Sequence, residues 1–176
     1  DYTYKIEFDV PVNHGQFLQV SIPTVGECPI SISNFGDGFI EMTIRHVGKV
    51  TNEIKTLKEG DYIYLRGPYG NGFCLDCYRN KQLIVSAGGT GLAPVRSIIN
   101  HFKNNPEEVM GLDLLIGFKT PKDILFKDEE DEFEEHEECK ETHHLNGCCR
   151  NPEHAHHHHE NEQAGNANGD QHILDI

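Results

Sequence analysis

The sequence predicts an antiparallel β-barrel, then the beginning of a parallel α/β domain, then a tail without regular structure. Three observations predict this. Residues 2–66 alternate apolar and polar side chains in short runs separated by turns. Residues 82–117 switch to an apolar strand, a glycine-rich turn, a segment of helical periodicity and a second apolar strand. Beyond Lys127 apolar residues thin out and carboxylates dominate.

Taken in order, residues 2–8 (Tyr-Thr-Tyr-Lys-Ile-Glu-Phe) alternate as a half-buried strand should, and residues 16–22, 39–47 and 62–66 repeat the pattern. Asp37-Gly38 and Glu59-Gly60-Asp61 supply turn chemistry between them. Thr51 is a helix N-cap candidate, with Glu53 in the first turn and Ile54 and Leu57 as the apolar face. Residues 82–87 form a strand, residues 92–103 carry Leu92, Val95, Ile98, Ile99 and Phe102 at helical spacing, and residues 112–117 form another strand. A β–loop–α–β order begins a parallel, doubly wound sheet. The domains are therefore expected at 1–76 and 77–126, with a tail at 127–176. The chain opens at Asp1 directly on a strand pattern, which reads as a fragment or a trimmed product.

The 176 residues carry a formal charge of −14, unevenly distributed. Residues 1–126 hold 14 acids and 12 bases, whereas residues 127–176 hold 15 acids, 3 bases and 9 of the 12 histidines. Such a chain, without a basic cluster, is a poor partner for nucleic acid or anionic membrane. No apolar run reaches the ~18 residues of a membrane span, and no signal peptide opens the sequence. The expected setting is cytoplasmic, with the six cysteines as reduced thiols.

The sharpest motif is Ala87-Gly88-Gly89-Thr90-Gly91-Leu92-Ala93-Pro94, between a strand and a helix. Glycines there let the backbone approach a pyrophosphate, and the helix start offers free N–H groups. Pro94 fits the first helical turn. The standard G-x-G-x-x-G is not met, because Pro94 takes the third glycine's place. A turn with only a packing role is the competing reading. A second glycine loop, Arg66-Gly67-Pro68-Tyr69-Gly70-Asn71-Gly72-Phe73, ends the first unit. Cys28-Pro29-Ile30-Ser31-Ile32-Ser33 places hydroxyls on an extended segment, and Gly48-Lys49-Val50-Thr51-Asn52 places N–H groups at a helix start.

In combination and in this order, the four segments resemble the ferredoxin–NADP reductase superfamily. Within it the chain looks most like the flavin-carrying component of anaerobic sulfite reductase and the electron-transfer subunits of dihydroorotate dehydrogenase. The resemblance runs from residue 1 to Phe126 and includes Gly117-Phe-Lys-Thr-Pro-Lys-Asp-Ile-Leu-Phe126. It implies an FAD-binding barrel followed by an NAD(P)-binding domain. Pro29, Ile30 and Ser31 would lie along the flavin; Arg45, Gly48, Val50 and Thr51 would hold its ribityl-pyrophosphate. Gly88, Gly89, Thr90, Gly91 and Pro94 would bind the NAD(P)H pyrophosphate. Hydride would pass from nicotinamide to flavin, and electrons onward to other subunits of a reductase complex, an iron–sulfur or sulfite-reductase-type partner. The resemblance names no catalytic side chain and no metal ligand.

Measured against that family, a first barrel strand is missing before Asp1. The rest of the nicotinamide domain is missing after Phe126, as is the cysteine cluster that ligates a [2Fe–2S] centre. Residues 127–176 admit other readings: a disordered acidic extension, a non-native segment, or a metal-binding tract using Cys139, His143, His144, Cys148, Cys149, His154 and residues 156–159. Two rival functions follow, a non-catalytic reductase-like module docking a partner through its acidic tail, or a metal-binding protein. Cys74-Leu-Asp-Cys77 is a lone C-x-x-C that could be a redox pair or half a metal site. His14, His46 and His101 are read as packing or surface residues.

Overall fold

A computed structural model of the chain describes residues 1–127 and 173–175. Six antiparallel strands make up the first unit: β1 (Tyr2–Glu7), β2 (Phe17–Ile22), β3 (Gly26–Ser31), β4 (Asn34–Gly36), β5 (Phe39–Ile44) and β6 (Tyr64–Tyr69). One sheet runs β4-β5-β1 and continues to β9 (Ile173–Asp175), which lies parallel to β1. The other runs β3-β2-β6. Between them lies an apolar core of Tyr4, Ile6, Leu18, Val20, Ile32, Ile40, Met42, Ile44 and Ile54. Alternation produced this directly, since every second residue of β1, β2 and β5 points into the core. The second unit is β7 (Gln82–Gly88) parallel to β8 (Gly111–Gly117), joined through α2 (Ala93–Asn104). Leu92, Ile99, Leu125 and Phe126 form its own core beneath the sheet. Antiparallel sheets followed by a parallel pair is the expected fold class.

Several expectations change in detail. Helix α1 spans Lys49–Ile54 and its N-cap is Gly48, not Thr51. Thr51 sits one turn in, where its hydroxyl oxygen accepts the N–H groups of Gly48 (2.9 Å) and Val47 (3.1 Å). A third-position side chain thus reaches back to the N–H groups of the cap residue and of the residue before it. Strand β5 ends at Ile44, because Arg45 and His46 turn to Asp1 and to the Tyr4 hydroxyl. Strand β6 starts two residues later than alternation suggested and continues through Pro68, whose missing donor is tolerated on an edge strand. Cys74 and Cys77 are joined as a disulfide, whereas reduced thiols were expected. The readings of residues 128–172 as an acidic or metal-binding tail, including Cys139, His143, His144, Cys148, Cys149 and His154, lie outside the described residues.

The two units are fastened by a buried ion pair. Arg96, on the first turns of α2, donates from Nη1 to Glu41 Oε2 of β5 at 2.5 Å, and both side chains are about nine-tenths covered. The Phe126 ring lies 4.2 Å from the guanidinium carbon. Glu41 and Thr43 were the polar, outward positions of β5, yet both are buried. Thr43 is satisfied by hydroxyl bonds to Thr3 and Ser33, each 3.0 Å. Removing one member of such a pair strands a charge, while removing both does not. Arg96→Met should therefore lower unfolding stability by about 3 kcal/mol. The double variant Arg96→Met/Glu41→Leu should recover most of that loss in urea titrations, and equal losses in both variants would contradict a coupled pair.

Candidate functional site

The glycine turn is where the parallel sheet meets its helix. β7 delivers Gly88 at its end, Gly89–Leu92 forms a tight 3₁₀ turn, and α2 starts at Ala93 with Pro94 in its first turn. Gly89 has φ +52°, a conformation that disfavours side chains, and no atom lies within 4 Å of where its Cβ would be. The space over Gly91 is equally open. No side chain caps the start of α2 and its first turn carries no acid. This leaves backbone donors and the positive end of a twelve-residue helix facing open space. All five residues expected to bind a nucleotide pyrophosphate, Gly88, Gly89, Thr90, Gly91 and Pro94, are brought together here.

The candidates in the first unit are distributed differently. Pro29, Ile30 and Ser31 lie on β3, opposite Gln19, Leu18 and Phe17 of β2. Leu18 is in the core, so Ser31 and Pro29 share the outer face with Phe17 and Gln19. β6 extends that face, pairing Tyr69 with Phe17 and Arg66 with Gln19. The Phe17 and Tyr69 rings are 5.7 Å apart. The Ser31 hydroxyl makes no hydrogen bond among the described residues, and Ile30 packs toward the core. Gly67 permits the close approach of β6, because a Cβ there would meet Leu18 at 2.8 Å. The second glycine loop is held by Gln16, whose Nε2 donates to the Gly70 carbonyl at 2.8 Å. Gln16, Phe17 and Tyr69 carry no motif of their own, and their only signal in the sequence is their place beside Gly15 and in the second glycine loop.

Helix α1 packs on β2 and β3, so Gly48, Val50 and Thr51 stand beside the same sheet. Val50 is partly buried against the core and lies by Gly26. Thr51 spends its hydroxyl on the helix start. Arg45 is also engaged: its Nε and Nη2 donate to the two Asp1 carboxylate oxygens at 2.9 and 2.8 Å. A shallow groove of about 690 Å³ runs along the β2–β3 hairpin and Tyr64–Arg66 and includes none of the predicted residues. Among the described residues no three His, Cys, Asp or Glu side chains gather as metal ligands. No helix among them is long and apolar enough to cross a membrane.

Near the junction of the units, the His14 ring packs on Phe35 at 4.8 Å and on His101 of α2 at 5.4 Å. His101 Nε2 lies 3.2 Å from Glu108, which in turn is 3.8 Å from the Arg79 Nε. His14 Nδ1 is buried without a hydrogen-bond partner among the described residues. Burial, and secondarily His101, lower the His14 pKa below its usual 6.5. The folded protein then holds His14 neutral while the unfolded chain takes up a proton. Stability is full above pH 6.5 and falls as pH drops below it. His46, lowered by burial, the amino terminus and Lys55, adds a slope of the same sign. His14→Asn should flatten part of the decline between about pH 6.5 and 5 in urea midpoints, and an unchanged slope would refute the assignment.

Comparison with known proteins bears on both halves. Residues 85–173 match the family described as "Oxidoreductase NAD-binding domain". That match begins inside β7 and continues past Phe126, where the motif resemblance ended. The gamma subunit of sulfhydrogenase 1 from Pyrococcus furiosus is 37% identical over 140 residues, 78% of this chain and 48% of its own length. A probable dihydroorotate dehydrogenase B electron transfer subunit from Thermoplasma volcanium is 34% identical over 126 residues, 72% of this chain and 45% of its own. An NADH-dependent reduced ferredoxin-NADP oxidoreductase structure superposes with a TM-score of 0.60 at 26% identity, covering 71% of this chain and 47% of that one. A ferredoxin-NADP+ reductase from Plasmodium falciparum, at TM-score 0.63 and 22% identity over 71% of this chain and 53% of its own, shares the fold. The chain spans about half the length of the curated relatives it matches.

Proposed function

From a chain that belongs to the oxidoreductase NAD-binding domain family, within the ferredoxin–NADP reductase superfamily, we propose an FAD-binding, NAD(P)H-linked electron-transfer subunit of a reductase complex. The observation that carries this reading is the open glycine turn at the start of α2, fixed to the first unit two residues beyond Pro94 by Arg96 and Glu41. A nucleotide pyrophosphate seated there meets N–H donors and the helix dipole, with no competing carboxylate in the first turn.

The outer face of β3-β2-β6 fits a planar aromatic group. Ser31 offers a hydroxyl without a hydrogen-bond partner among the described residues, and Phe17 and Tyr69 flank it with ring surface. Arg45 and Thr51 fit a diphosphate less directly, since Arg45 would exchange Asp1 for it and Thr51 would contribute through the helix start it shapes. When bound, FAD supplies acceptance of a hydride and release of electrons one at a time. The protein's part is positioning: Ser31 orients the ring edge, the turn from Gly88 to Gly91 anchors the nicotinamide nucleotide, and the ion pair keeps the two at one separation. The electron-accepting partner would be another subunit, since the relatives are themselves named as subunits, one of them as an electron transfer subunit.

The purified chain, supplied with FAD, should show flavin absorbance that bleaches on addition of NADH or NADPH. A chain that stays colourless would end the proposal. Gly89→Val forces a β-branched residue into φ +52° and fills the space above the turn. Its affinity for the nicotinamide nucleotide should fall by about tenfold or more, about 1.4 kcal/mol, with flavin absorbance retained. Unchanged nucleotide titration in that variant would move the site elsewhere.

A further inference from the structure

The segment joining β6 to β7 carries a feature that nucleotide binding does not use. Cys74 and Cys77, both exposed, are covalently joined across a single 3₁₀ turn, Leu75–Cys77, with their Cα atoms 5.3 Å apart. On one side of the turn, the Phe73 N–H donates to the His14 carbonyl at 2.7 Å, and its ring lies against Gly15 of the first unit. On the other side, the Tyr78 ring meets Phe102 of α2 edge-on at 6.4 Å. The Asn80 N–H then donates to the Glu108 carbonyl at 2.8 Å. The bond therefore closes the piece of backbone that lies between the last anchor on the first unit and the first anchor on the second. Two cations attend it. Lys81 Nζ donates to the Cys77 carbonyl at 2.7 Å, and Arg79 reaches Asp76 inside the motif at 3.1 Å.

We propose that Cys74 and Cys77 form a solvent-accessible dithiol–disulfide exchange site, opened by a dithiol that can close into an unstrained cyclic disulfide, whose state sets the order of the interdomain segment. In the opening step a reductant thiolate attacks one sulfur. The Cys74–Cys77 bond breaks, a mixed disulfide forms and one protein thiolate leaves. The reductant's second thiolate attacks the mixed disulfide and releases the other cysteine. The protein gains two electrons and two protons, and the reductant ends as a cyclic disulfide. Once open, the turn is held by two backbone bonds, Cys77 N–H to the Cys74 carbonyl and Tyr78 N–H to the Leu75 carbonyl, both 3.0 Å, and by the exposed contacts of Lys81 and Arg79. This site does not depend on the nucleotide reading.

The test uses the whole chain, folded, with dithiothreitol as the probe. N-ethylmaleimide labelling under denaturing quench, followed by peptide mapping, should find Cys74 and Cys77 unlabelled before reduction. Both should be labelled after the folded protein has been exposed to dithiothreitol. Amide exchange at Cys77 and Tyr78 should quicken several-fold on reduction, while the amides of β1 and β5 stay unchanged. Cys74→Ser should reproduce the faster exchange without reductant; if that variant does not fold, the wild-type comparison decides alone. Labelling of both cysteines in air, a bond that opens only after unfolding, or exchange at Tyr78 that ignores reduction would each overturn the proposal.

Discussion

The contact between Arg96 and Glu41 is the constraint on which the arrangement of this protein depends. Either charge would be costly to bury alone, so the pair exists only when β5 and the first turns of α2 sit at one distance and one angle. Purely apolar contact between the units could supply similar stability but would tolerate sliding. The ion pair does not, and Phe126 seals it from water with its ring face. Arg96 follows Pro94 by two residues, so the element that fixes the units together is the element that ends the glycine turn. Positioning of the turn relative to the β3-β2-β6 face is thus a property of the buried charge, not of the linker.

That constraint also explains why β5 is covered on both sides. Ile40, Met42 and Ile44 fill the core, while Glu41 and Thr43 are closed over on the other face. Buried polar groups need partners, and here they have them: Glu41 takes Arg96, and Thr43, Thr3 and Ser33 share a chain of hydroxyls. Ser33 also donates to the Glu41 carbonyl. The network joins β1, β5 and the end of β3, so the segment bearing Ser31 is braced from behind by the same residues that receive α2.

Much of this was legible in the sequence, and the division follows the range of the interactions. β7, the glycine turn, α2 and β8 were readable because glycine, proline and apolar spacing act over a few residues. The alternation in β1, β2 and β5 was readable for the same reason. Glu41 and Thr43 read as solvent-facing because alternation reports which face a side chain takes, not whether something later covers it. Thr51 was misplaced because Ser and Thr are common N-caps; nothing local shows that a glycine three residues earlier takes that place and borrows the hydroxyl. Arg45 was offered for a diphosphate by the family resemblance, and its bond to Asp1, which links positions 44 residues apart, leaves no local signal in the sequence. The Cys74–Cys77 bond lay within one turn, yet composition pointed to reduced thiols and outweighed the spacing.

The charge distribution follows the same logic of range. Residues 1–126 are nearly balanced, with 14 acids and 12 bases, and many of those charges are already committed: Arg45 to Asp1, Arg66 to Glu27, Arg79 to Asp76, Arg96 to Glu41. The four arginines are held by carboxylates in this way, and none of the eight lysines of residues 1–126 lies within the glycine turn, residues 88–94. At the glycine turn the attraction comes instead from backbone N–H groups and a helix dipole, which act over a few ångströms and carry no net charge. Such a site selects by shape and close approach, so what the folded units bind is decided by the glycines that leave room, and the strong acidity of the chain as a whole has no bearing on it.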